Sequence, residues 1–157
     1  MRIGHGLDVH RVSDDASRTL WLGLVEIPDA PGLVGHSDAD VATHALCDAL
    51  LGAANLGDLG RHFPDTDPQF AGASSRRLLE GTVELVAAAG LRTISADITI
   101  VAERPKLVDF MPRMSSELSA VVGALVTVKA TTAEGLGALG RVEGIAASAV
   151  ALLEDVS

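Results

Sequence analysis

Asp8 and His10 stand two residues apart in Asp8-Val9-His10. His44 follows Asp40 by four in the run His36-Ser37-Asp38-Ala39-Asp40-Val41-Ala42-Thr43-His44. On an extended strand a spacing of two puts both side chains on one face, and on a helix a spacing of four puts them one turn apart on one side. One carboxylate and two imidazoles from two rigid elements, in a chain with a single cysteine, make an oxygen and nitrogen donor set suited to a divalent cation such as zinc. Three protein ligands leave a coordination position for water or a phosphate oxygen. A lone Asp-x-His is common by chance on surface strands. The separate, helix-borne His44 is what turns it into a candidate site.

Other runs could serve an anionic ligand. His36-Ser37 precedes a helix, where backbone N–H groups point outward and the dipole is positive, a place for a phosphate. Ser37 also reads simply as a helix cap, and the two readings are compatible. Asp38 and Asp40 suit the first helical turn, and Asp40 has a second reading as a residue that orients a ligand histidine from behind. Gly57-Asp58-Leu59-Gly60 and Phe63-Pro64-Asp65-Thr66-Asp67 are loop signatures, which on spacing alone read as acidic surface turns. Lys129-Ala130-Thr131-Thr132-Ala133-Glu134-Gly135 leaves a strand for a glycine-rich stretch, where hydroxyls beside a carboxylate suit phosphate contacts and a second metal. The alternative there is a solvated strand end. His5 and His62 have no evident partner.

The elements that must position these residues follow from periodicity. Residues 1–12 and 19–27 read as two strands joined by the polar turn 13–17, with Leu20, Leu22 and Leu24 alternating. Ser37 and Asp38 are N-cap candidates for a helix from Ala39 to Ala53, with Val41, Ala45, Ala49 and Gly52 near one face. An irregular stretch, rich in Gly, Asp and Pro, runs from Asn55 to Ala73 and has the character of a functional or mobile loop. Ser74 or Ser75 caps a helix that stops at Gly90. Thr93 to Ala102 alternates as a strand with Ile94, Ala96, Ile98, Ile100 and Ala102 on one face. A helix over 108–122 and a strand over 125–130 follow. Residues 144–153 stay open between an alanine-rich helix and a strand buried on both faces.

Composition bounds the rest. The 157 residues, 48% hydrophobic and 21% charged, suffice for one domain with its own core and exclude general disorder. No repeat, low-complexity stretch or linker divides the chain. Three Phe, one Trp and no Tyr leave few rings for base stacking, and a net charge of -9 opposes a nucleic-acid backbone. An anionic ligand must therefore be met by metal, backbone N–H groups and a few local Lys or Arg. Cys47 lies in an apolar stretch and reads as a small buried hydrophobe, in keeping with a reducing compartment. The N-terminal residues lack the apolar core of a signal peptide. No apolar stretch approaches the roughly 18 residues needed to span a bilayer. The expectation is a soluble, cytoplasmic protein with no nucleic-acid or membrane partner.

Taken together, the runs resemble the 2-C-methyl-D-erythritol 2,4-cyclodiphosphate synthase family of the non-mevalonate isoprenoid pathway. The resemblance spans nearly the whole chain. It rests on residues 1–10, His36 to Asp40, Asp48 to Ala53, Gly57 to Gly60, Phe63 to Pro68, Pro105-Lys106, Lys129 to Thr132, Gly140-Arg141 and Glu143 to Ala146. It implies an α+β fold: a single domain over 1–157, mainly a four-stranded sheet with helices on one face, the sheets packing around the threefold axis of a homotrimer. Active sites would lie between subunits, and 144–153 would be a strand. By match, Asp8, His10 and His44 hold zinc or manganese. Glu134 helps hold a second ion, magnesium or manganese, against the substrate diphosphate. His36 and Thr132 match the pair that stabilises the transition state. Asp58 and Gly60 match the ribose contacts, and Phe63, Asp65 and Asp67 the loop over the methylerythritol part. Ala102, Lys106, Leu107 and Val108 match the cytosine and phosphate pocket, with Ser37, Thr131 and Arg141 as further substrate contacts.

The implied substrate is 4-diphosphocytidyl-2-C-methyl-D-erythritol 2-phosphate, cyclised with release of CMP. The chain departs from the family pattern at Leu7, Ala138, Leu139 and Val142. These surround Arg141 and Glu143, which match a central trimer cavity that holds isoprenoid diphosphates in some members. Two other function classes stay in view: a metal-dependent phosphohydrolase, and a non-catalytic trimer that senses isoprenoid diphosphates.

Overall fold

The computed structural model describes residues 1–156. In chain order the elements are β1 (Arg2–Arg11), β2 (Leu20–Leu22), β3 (Val25–Ile27), α1 (Val41–Ala53), the short α2 (Leu59–His62), a 3-10 turn (Pro68–Phe70), α3 (Ser75–Ala88), β4 (Leu91–Val101), α4 (Met111–Val122), β5 (Leu125–Thr131), the short α5 (Gly137–Gly140) and β6 (Gly144–Asp155).

Even-numbered residues of β1 turn inward and odd-numbered ones outward, as a period of two requires. The inward side begins with Gly4 and Gly6. A β-carbon at either would stand 1.9 Å from a carbonyl oxygen of α1, that of Ala49 or Ala45. The glycines thus let the helix backbone settle directly on the strand. Nearly all of α1 is buried, between the sheet on one side and α3 on the other. The expected one-faced pattern does not hold there, and Gly52, expected on the buried face, is exposed.

The main sheet has the order β1-β6-β4-β5. β6 pairs antiparallel with β1 from Arg2↔Leu153 to Arg11↔Gly144 and antiparallel with β4 on its other edge, while β4 and β5 run parallel. Residues 144–153 are therefore strand despite their alanines. Two neighbours satisfy the backbone of β6 along its length, and the small side chains of Ala147, Ala149 and Ala151, all fully buried, leave room for α1 above. The helices lie on this one face. The other face carries Ile3, Leu7, Val9 and Val150, all exposed.

Four local expectations need correction. Residues 19–27 form a two-stranded hairpin, not one strand. Gly23 and Leu24 take left-handed φ values of 57° and 64°, the geometry of a two-residue hairpin turn. The hairpin is a separate sheet, since β1 pairs with β6. Ile94 leaves the buried face because a bulge between Thr93 and Ser95 shifts the register, whereas Ala96, Ile98 and Ile100 keep it. Finally, α1 starts at Val41 with Asp40 as its N-cap, in place of Ser37 or Asp38, and α4 starts at Met111 after a turn closed by Phe110 N–H on Leu107 C=O.

Candidate metal centre and active site

Asp8 and His10 lie on the inward side of β1, near its end, and His44 lies in the first turn of α1. The packing of α1 on β1 brings the three together. Asp8 Oδ2 is 3.0 Å from His10 Nε2 and 3.1 Å from His44 Nδ1. The two ring nitrogens are 3.4 Å apart. One donor atom from each residue falls within 4.8 Å of the others. The far side of each ring is also held: His10 Nδ1–H donates to the Val34 carbonyl at 2.6 Å, which turns Nε2 toward Asp8. His44 Nε2 lies 3.0 Å from Ser75 Oγ and 3.2 Å from Ser37 Oγ.

Burial alone would raise the Asp8 carboxyl, but hydrogen bonds and charges from His10 and His44 outweigh it and hold the group well below the usual carboxylate range. The Asp8 hydrogen bond raises the His10 imidazole against the opposing effect of burial. A persistent carboxylate with two converging ring nitrogens suits a dication of borderline softness.

Asp40 does not take part. Fully buried, it accepts from Gly23 N–H at 2.9 Å, Leu24 N–H at 2.8 Å, and the N–H and hydroxyl of Thr43 at 3.0 and 2.7 Å. It clamps the hairpin turn to the start of α1, so its reading as the orienter of a ligand histidine is replaced by a structural one.

Beside the cluster a cavity of about 170 Å³ is lined by His10, His36, Ser37, His44, Leu59, Phe63, Asp65, Phe70 and Leu78. His36 Nε2 is 3.5 Å from Asp65 Oδ2, both side chains exposed. Phe63 meets Phe70 edge-on at 5.3 Å. Asp58 and Gly60 flank Leu59, where Asp58 caps α2 by accepting Arg61 N–H at 3.0 Å. Asp67 caps the 3-10 turn, accepting Gln69 N–H at 3.0 Å, and does not line the cavity.

The remaining expected residues gather elsewhere. Ala102, Lys106, Leu107, Val108, Thr131 and Thr132 line a second cavity of about 240 Å³, which shares no lining residue with the first. Thr132 Oγ1 donates to Glu134 Oε1 at 3.3 Å and accepts Glu134 N–H at 3.2 Å. Arg141 pairs with Glu143 at 2.6 Å and lines neither cavity. A wider groove of about 680 Å³ borders the second cavity through Glu103, Pro105 and Lys106 and contains none of the three clustered ligands.

Sequence reading missed Asp48, Ser75 and the part played by Asp38. Asp48 follows His44 by four on α1 and accepts Leu59 N–H at 2.8 Å, anchoring the loop beside the site. Burial raises its pKa, opposed by that N–H and reinforced by the charges of Asp58 and Asp8. Its spacing from His44 was a usable signal. The contacts of Ser75 with Asp38 and His44 bridge 37 and 31 positions and leave no local trace.

Residues 1–154 match the model of the YgbB family. The chain belongs to the YgbB family. It is 57% identical over 156 residues to the 2-C-methyl-D-erythritol 2,4-cyclodiphosphate synthase of Symbiobacterium thermophilum, covering 98% of each protein. It is 54% identical over 158 residues to the protein of that name from Geobacter sulfurreducens, covering 99% of each. Among solved structures it is similar to a 2C-methyl-D-erythritol-2,4-cyclodiphosphate synthase with CDP bound, at a TM-score of 0.88 and 38% identity, covering 98% of this chain and all of that one. It is also similar to the bifunctional IspDF of Campylobacter jejuni, at a TM-score of 0.92 and 41% identity, where it covers 98% of this chain and 42% of the longer one. The sheet order and the placing of α1 on β1 are thus embedded in a YgbB-family fold matched over nearly the whole chain.

Proposed function

We propose that this YgbB-family protein cyclises 4-diphosphocytidyl-2-C-methyl-D-erythritol 2-phosphate to 2-C-methyl-D-erythritol 2,4-cyclodiphosphate and releases CMP. The observation that carries the reading is the convergence of Asp8, His10 and His44 beside the His36 cavity, in a chain 57% identical to a protein named for that product.

The 2-phosphate of the substrate attacks the β-phosphorus of its own diphosphate. The bond to the CMP oxygen breaks as the new P–O bond forms. The nucleophile is already anionic at neutral pH, so no strong general base is required, and the difficulty is to bring like charges together in line. Asp8, His10 and His44 would hold zinc or manganese. Glu134 brings one carboxylate, which fits a second cation, magnesium or manganese, when the substrate diphosphate supplies the other donors. Bound cations neutralise phosphate charge and polarise the β-phosphoryl oxygens. His36 and Thr132 are assigned to stabilising charge on the transferring group. Ser37, Asp58, Gly60, Phe63, Asp65 and Asp67 would position the sugar and methylerythritol parts, and Ala102, Lys106, Leu107, Val108, Thr131 and Arg141 the cytidine and its phosphates.

The residues matched to one substrate line two cavities with no lining residue in common, which supports a site completed by a neighbouring subunit. We therefore propose a homotrimer. The exposed Ile3, Leu7, Val9 and Val150 on the open sheet face support it. Light scattering should return three times the 16.1 kDa chain mass, and an active monomer would contradict the assembly.

Incubation with the cytidyl substrate and magnesium, followed by phosphorus NMR, tests the reaction. CMP with a cyclic diphosphate is expected. CMP with an open-chain bisphosphate would instead make the protein a phosphohydrolase. Isoprenoid diphosphate binding without turnover would make it a sensor.

A further inference from the structure

Behind the three clustered ligands a second carboxylate reaches His44 through one hydroxyl. Ser75 is the first residue of α3 and is fully buried. Its Oγ lies 3.0 Å from His44 Nε2, and its hydroxyl donates to Asp38 Oδ1 in a short contact. The backbone N–H of Ser75 donates to Asp38 Oδ2 at 2.7 Å, so the carboxylate grips the serine at two points. A carboxylate accepts and does not donate, so the single hydroxyl proton of Ser75 is committed to Asp38. Ser75 Oγ can then only accept from His44. Nε2 therefore carries a proton, and Nδ1, 3.1 Å from the Asp8 carboxylate, is the nitrogen left for a cation. Ser37 Oγ, at 3.2 Å, is the more distant partner and already accepts Ala39 N–H at 3.2 Å.

We infer that Asp38 and Ser75 are positioning residues that set the tautomer and ring orientation of His44 for a divalent cation. The inference rests on the metal reading of Asp8, His10 and His44 and deepens it. It also separates two acids four and six places ahead of His44 that local spacing treats alike. Asp40 holds backbone and Thr43, whereas Asp38 acts on the ligand through Ser75.

Two substitutions divide the contacts. Ser75→Ala removes the hydroxyl but keeps the backbone N–H on Asp38. Asp38→Asn keeps the shape but leaves one acceptor opposite three donors, the N–H and hydroxyl of Ser75 and the more distant N–H of Asp40. Turning its NH₂ toward Ser75 Oγ forces the hydroxyl proton onto His44 Nε2 and the ring proton onto Nδ1, where it blocks the ligand position. Turning its NH₂ the other way sets it against the Ser75 N–H.

The experiment measures zinc affinity of the full chain by competition with a chromogenic chelator. It is paired with long-range ¹H–¹⁵N NMR of the imidazoles in the metal-free protein, the His44 signals being assigned by their loss in His44→Ala. Ser75→Ala should weaken zinc binding roughly 10–100-fold, the usual cost of losing a partner behind a metal ligand, and Asp38→Asn at least as much. Ser75→Thr, which restores a hydroxyl, should stay nearer the wild type than Ser75→Ala does. The wild-type spectrum should show His44 protonated at Nε2, a signature that a purely structural role would not require. A wild-type His44 with a bare Nε2 and its proton on Nδ1 alone overturns the inference, even if both variants fail to fold. Wild-type zinc affinity in Ser75→Ala and Asp38→Asn also overturns it, provided Asp8→Asn abolishes binding. If the wild type binds no zinc, or Asp8→Asn binds it unchanged, the metal reading itself fails.

Discussion

His44 Nδ1 lies 3.1 Å from Asp8 Oδ2 although 36 positions separate the two residues in the chain. Nothing local joins them. The contact exists because Gly4 and Gly6 let α1 rest on β1 at backbone distance, which puts the first turn of the helix over the end of the strand.

Asp8→Asn and His44→Ala should each abolish specific metal binding and lower CMP release by about 10²-fold or more, since losing a ligand costs at least as much as losing its outer partner. Metal content by atomic absorption and turnover under the same conditions check this. Full activity at unchanged metal content would remove the assignment.

Gly6→Ala should be far more damaging than its size implies. The added β-carbon would stand 1.9 Å from Ala45 O and 2.8 Å from Ala49 N, both backbone atoms that cannot step aside. A loss of about 3 kcal/mol is expected, at the upper end for overpacking. Zinc affinity should fall with it because the helix lifts from the strand. Urea denaturation and chelator competition measure the two effects. A wild-type denaturation midpoint would show that the close approach is not needed.

Lys106 is exposed beside Ala102 and Thr131 in the second cavity. Lys106→Ala should raise KM for the cytidyl substrate about tenfold, a change of about 1.4 kcal/mol, with kcat little altered, as expected when a contact made equally in ground and transition states is lost. Steady-state kinetics decide, and an unchanged KM would count against the role.

Cys47 offers a pH test. Burial pushes its thiol up to about 12 from 9.0. Because the folded value is the higher one, the stability linked to this proton is fully present below about pH 9 and drains away as pH rises toward 12. Thiolates, not thiols, are alkylated. Iodoacetamide labelling of the urea-unfolded chain should therefore accelerate from pH 7 to 9, while the native protein stays unlabelled. Rapid native labelling at pH 8 would mean that the α1 core opens readily.

Much of this molecule was legible in its letters. Alternation marked β4, a strand was readable over residues 1–12, and a serine cap at 74 or 75 with Gly90 as the stop marked α3. The spacings of Asp8, His10 and His44 pointed to one shared cation, and the ordered runs from Met1 to Ala146 resembled one synthase family. These signals survive in a short window because strand and helix periods, caps and donor chemistry are properties of neighbours in sequence. Periodicity left 144–153 open and only the family resemblance implied a strand there; tertiary structure alone decided that this strand lies between β1 and β4, that β1 does not pair with the hairpin, and that Asp40 clamps a turn while Asp38 reaches His44 through Ser75. Each of those outcomes depends on groups brought together from distant parts of the chain, where burial and the need to satisfy every backbone and carboxylate hydrogen bond outweigh the local preference of an alanine or an aspartate.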